Sequence, residues 1–186
     1  MTGQLLTIWT IRLALACYVA FLAGWLVARV PNWPRVARWL WTAGCAFFVL
    51  HVMAAFQFHH SWSNASAVAQ TARETQQLLG VAFGEGIYFS YLFLVVWVLD
   101  VVAWWSQGDA WLQRPRWLAW MVHGYLAFIV FNGAIVFETG VTRWGGLIAC
   151  VALAGLLVVR RRSLPPHPET SRTAPNELAA PQESRA

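Results

Sequence analysis

"VAFGEGIYFSYLFLVVWVLDVVAWW", residues 81–105, is the stretch on which the fold turns. Between Gly86 and Asp100 it holds no charged side chain. At about 1.5 Å of rise per residue, a helix of this length covers the roughly 30 Å hydrocarbon core of a bilayer. Four more runs have the same character: 5–28, 36–58, 117–137 and the shorter 144–159. The chain is 59% hydrophobic and 11% charged, with 13 tryptophans, more apolar surface than a soluble domain of this size can bury. The expected fold is an all-α integral membrane protein. A bundle of five transmembrane helices fills residues 1–162, and a short helix lies on its outer surface.

Working outward from 81–105, the connections orient the bundle. Every basic residue is arginine, a bias that points to a GC-rich bacterial genome. Arg29, Arg35 and Arg38 flank the first connection, Arg114 and Arg116 the third, and Arg160, Arg161 and Arg162 follow the fifth span. The second and fourth connections hold only Arg73 and Arg143. Positive residues mark the cytoplasmic side. The expected placement is therefore a bacterial inner membrane, with the N-terminus outside and the C-terminus cytoplasmic. The net charge of +5 is absorbed by this orientation, so a nucleic-acid partner is not expected. The partners implied are the lipid bilayer and other membrane subunits.

The first span lacks a basic start and carries Arg12 within its apolar run, which argues against a signal peptide. Most tryptophans fall near the span ends, where an amphipathic ring anchors at the interface. Cys17, Cys45 and Cys150 lie in three different spans and form no metal or disulfide pattern. Residues 61–80, "SWSNASAVAQTARETQQLLG", carry a serine cap, an alanine-rich body and a Gly80 stop. They predict a surface helix with Val68, Ala72, Thr75 and Leu79 on its apolar face. Residues 163–186, rich in Pro, Ser, Thr and Glu, predict a disordered cytoplasmic tail.

Ionisable groups in a span mark a bundle interior or a water-filled cavity. Counting from the expected span ends puts Arg12 about 10 Å, His51 roughly 10–12 Å and Asn132 about 8 Å below the outer surface. Glu85, Tyr88 and Glu138 come nearer that surface, and His59 and His60 mark it. At 100° per residue, His59 stands about 80° from His51, and His60 falls on the opposite side. The expected site is an outward-facing polar cavity of Arg12, His51, His59, Glu85, Tyr88, Asn132 and Glu138. The same groups can instead pair among themselves: Arg12 with Glu85 or Glu138, and His51 with a backbone carbonyl or Asn132. Near the cytoplasmic surface, Asp100 and His123 form an expected helix–helix pair.

No HExxH, repeated HxxHH box or nucleophile elbow occurs, so no catalytic residue and no metal site is assigned. The role that fits best is a non-enzymatic subunit or small-ligand-binding protein. The alternative is a redox protein binding haem b or a divalent metal. His51 and His123 lie roughly 9 Å apart in depth, which disfavours one haem held by both.

Overall fold

The computed structural model describes residues 2–27, 32–137 and 140–162. Glu138 and the expected tail 163–186 lie outside the described residues. Among the described residues, five helices long and apolar enough to cross a membrane occupy the five expected runs. Helix α1 spans Thr2–Val27. Helix α2 spans Trp33–Ala55, with a proline in its first turn, where a missing N–H leaves no helical bond unmade. Helix α3 is the short Asn64–Leu79. Helix α4 spans Ile87–Gln107, α5 spans Arg116–Phe131 and α6 spans Gly140–Arg162. Helix α1 packs on both α2 and α6, α2 on α4, and α4 on α5.

Two of the long helices end in π-helical turns, Phe56–His60 after α2 and Asn132–Val136 after α5. Both turns close with widened backbone bonds, Trp62 N–H to Phe56 O and Phe137 N–H to Asn132 O, each 3.0 Å. Such widened turns re-aim the side chains beyond them and recur at functional sites. Left-handed backbone at Ser61 and Trp62 then breaks the chain away toward α3.

Helix α3 starts where its sequence signals place it. The Ser63 hydroxyl accepts from Ser66 N–H at 3.3 Å, and Gly80 ends the helix at φ 74°. Its buried side chains are Ala67 and Thr75, flanked by half-buried Val68 and Ala72; Leu79 is exposed. Thr75 accepts from Phe83 N–H at 2.9 Å, and Tyr91 donates to Asn64 Oδ1 at 2.8 Å. These bonds fasten α3 across the end of the bundle where α4 begins.

The core is aromatic. Tyr18 and Phe21 of α1 meet Trp41 of α2 and Trp97 and Trp104 of α4. Phe21 and Trp41 have ring centroids 4.4 Å apart, and Trp41 and Trp97 5.1 Å apart. Gly44 permits this approach, since a Cβ there would sit 3.0 Å from the Trp97 ring and 3.2 Å from Cys17 Cβ. Trp41, Trp104 and Trp111, expected as interfacial anchors, are instead buried. Trp9, Trp62, Trp117, Trp120 and Trp144 remain exposed near helix ends. Cys45 is buried, Cys17 half-buried and Cys150 exposed, all unbonded.

Candidate functional site

A cavity of about 310 Å³ opens at the α3 end, between α1, α2, α4 and α5. Tyr18, Phe48, Phe93 and Trp97 form aromatic walls, and His51 projects among them. His60, Gln70, Glu74, Ser90 and Tyr91 supply further polar lining. Both π-helical turns contribute, through Phe56 and His60 on one side and Gly133 and Ala134 on the other.

His51 is held by one specific bond. Its Nδ1 lies 3.0 Å from Thr7 O. A carbonyl cannot donate, so Nδ1 carries the proton and the ring is the Nδ1–H tautomer. Nε2 is left as a lone-pair acceptor on a side chain that lines the cavity. Of the pairings open in the sequence, the backbone carbonyl is the one His51 takes.

The remaining expected residues disperse. Arg12 lines a second cavity of about 490 Å³ between α1, α5 and α6, and its guanidinium lies 5.6 Å from the Trp9 ring centroid. Among the described residues Arg12 has no ion-pair partner, so the expected pairing with Glu85 is not made. His59, Glu85 and Tyr88 are exposed and do not line the first cavity. Asn132 is half-buried, does not line the first cavity either, and donates to Phe128 O of its own helix at 2.8 Å.

His60 takes the position expected for His59. A uniform α-helix would turn His60 away from His51, but the π-turn rotates each residue by less than 100° and brings His60 back to the cavity. Gln70 and Glu74, which sequence reasoning missed, stand one turn apart on α3 and are bonded at 2.9 Å. Their signal was the stripe beside the apolar face of α3.

At the opposite end of the bundle Asp100 and His123, expected to pair directly, make no hydrogen bond to each other and meet instead through a third residue, Arg114. Asp100, 6% exposed, accepts from Trp41 Nε1 at 2.9 Å and forms an ion pair with Arg114. Arg114 Nη2 lies 3.0 Å from His123 Nε2. Arginine only donates, so His123 Nε2 accepts and His123 is neutral. The guanidinium rests 3.8 Å from the centroid of Trp111, which stacks on Trp104 at 3.9 Å and 7°. Among the described residues, no three His, Cys, Asp or Glu side chains are grouped to hold a metal.

No protein-family model, curated protein or solved structure matches this chain.

Proposed function

We propose that this chain is a bacterial inner-membrane protein of five crossings that binds a small ligand in the His51 cavity. The flanks of the long helices support insertion: Leu99, Met121, Ile148 and Val151 are each more than half exposed, and no described side chain of α6 is buried. Arg35, Arg38, Arg114, Arg116, Arg160 and Arg162 belong to one end of the bundle, supporting a cytoplasmic C-terminus. The cavity then faces outward under α3. Cysteines introduced singly at Ser66 and Arg162 test this orientation: an impermeant thiol reagent should label position 66 in intact cells and position 162 only after lysis. Labelling of both from one side would overturn the crossing order.

The observation that carries ligand binding is the His51 ring, which is fixed by Thr7 O through Nδ1, keeps Nε2 as a free acceptor and lines an aromatic cavity. A few placed polar groups on apolar walls are the usual make-up of a small-molecule site. Protein extracted in lipid nanodiscs should release a bound small molecule on denaturation. Ala55, which lines the cavity, gives the control: Ala55→Phe should lower the occupancy at least tenfold. Full retention of the molecule in that variant would remove the cavity from consideration.

The same tautomer also suits a haem iron or divalent metal on Nε2, because metal-bound imidazoles commonly donate their other N–H to a carbonyl. An absorption spectrum and metal analysis of the same preparation separate that reading from an organic ligand.

A further inference from the structure

We propose that the ligand of this cavity is a lipid-soluble aromatic ring bearing hydroxyl groups, of the hydroquinone class, whose O–H donates to His51 Nε2. This inference rests on the cavity reading above and names its ligand chemistry.

Acceptor polarity comes first. With Nδ1–H committed to Thr7 O, His51 offers a lone pair and no proton. A carbonyl on a ligand would face that lone pair unfavourably; a hydroxyl would satisfy it. The other polar groups lining the cavity divide: Tyr18 OH, Trp97 Nε1 and His60 Nδ1 are buried with no hydrogen-bond partner among the described residues, while others are engaged. The Thr71 hydroxyl donates to Ala67 O, and the Tyr91 hydroxyl donates to Asn64 Oδ1. Ser90, half-buried on α4, makes no hydrogen bond to another described residue and is open to a second ring oxygen. A ring hydroxyl therefore meets both sides of the site, donating to His51 Nε2 and accepting from an unpartnered N–H or O–H, where a quinone carbonyl could only accept.

Shape comes second. Phe48, Phe93 and Trp97 line the same cavity as His51 with flat apolar faces, suited to a planar ring. The volume of about 310 Å³ stands at the small end of ligand cavities, roughly 300–1,000 Å³, the scale of one substituted ring. Leu15, Tyr18, Val130 and Ala134 line both this cavity and the second one. That second space has nearly all-apolar walls and directly adjoins the first, so an alkyl substituent on the ring has a place to lie.

The test uses the full chain in nanodiscs with two probes, tetramethylhydroquinone held reduced under argon and its oxidised partner tetramethylbenzoquinone. They share a ring and differ in whether their oxygens donate. The hydroquinone should bind at least tenfold more tightly by equilibrium dialysis. His51→Asn keeps an amide donor near the Nδ1 position for Thr7 O and removes the acceptor at the Nε2 position, leaving only its shorter Oδ1, so it should abolish that preference while the melting temperature holds. In the parent chain, the ¹⁵N resonance of His51 Nε2 should shift on adding hydroquinone and stay in place with quinone, a readout needing no variant. Equal or tighter binding of the quinone, or binding of neither, overturns the ligand class. Such failure leaves the cavity reading standing if Ala55→Phe still expels the co-purified molecule. Tight hydroquinone binding that Ala55→Phe leaves unchanged would sink the cavity reading itself.

Discussion

Asp100→Ala should destabilise the bundle by about 3–5 kcal/mol, the range seen when one member of a buried ion pair is removed. The loss is expected because Asp100 serves two partners at once. It compensates the Arg114 guanidinium and accepts the Trp41 indole N–H, tying α2, α4 and the segment leading into α5 into one unit. Alanine at position 100 leaves a positive charge held against the Trp111 face without the carboxylate that pairs with it. It also leaves an indole donor without an acceptor. Arg114→Met should cost a comparable amount by stranding the carboxylate. The double variant Asp100→Ala/Arg114→Met should lose clearly less than the sum, since neither charge remains. Asp100→Asn, which keeps an acceptor for Trp41, should fall between parent and alanine. Denaturant titration in mixed micelles reads all four. An Asp100→Ala chain within about 1 kcal/mol of its parent, the scale of a solvent-exposed pair, would show that the ion pair is solvated and contributes little.

That cluster shows where linear reading stops. Asp100 and His123 were legible as a pair because both lie in apolar runs at similar depth. Arg114 was legible only as a positive charge beyond a span end. The chain turns at Gly108, φ 58°, and a 3-10 segment, Gly108–Gln113, carries Arg114 back to the end of α4. Sequence separation records the distance along the chain and says nothing of such a return. The tryptophans repeat the lesson. Trp104 and Trp105 are neighbours at one helix end, yet Trp104 is fully buried and Trp105 is 44% exposed. Depth along a helix follows from counting, whereas facing follows from rotation about its axis, which packing partners set.

The outer end divides in the same way. The existence of α3, its Ser63 cap and its Gly80 stop are local matters, written within one stretch of chain. His51 was legible because a histidine in an apolar run demands a partner. That the partner is Thr7 O depends on the antiparallel register of α1 and α2, which no local signal states. The exchange of His59 for His60 follows from a single widened turn. Phe56–His60 has no glycine or proline to announce it. Residues Glu85, Tyr88 and Asn132 share the level of the cavity but not its direction, so a depth map alone gathered more groups than the structure brings together.

The second large effect is expected at Gly84, where α3 meets the entry to α4. A Cβ built on Gly84 would lie 2.7 Å from both Val68 O and Val68 Cγ1. The side-chain contact could be relieved by a rotamer change. The carbonyl contact cannot, because Val68 O belongs to the backbone of α3. Gly84→Leu should therefore push α3 off the bundle, straining the Thr75 bond to Phe83 and the Tyr91 bond to Asn64. Overpacking of this kind costs about 1–3 kcal/mol. The long helices have their own packing, so the cost should fall on α3 while the crossings persist. A cysteine at Ala67, buried in the parent at 1% exposure, reports the change. In the Gly84→Leu background it should react with an aqueous thiol reagent at least tenfold faster, with the overall melting profile shifted far less. Because Gln70 and Glu74 of α3 line the His51 cavity, ligand retention should fall in the same variant. Unchanged reactivity at position 67 would mean that α3 moves with Gly84 as a rigid unit and that the close approach seals nothing.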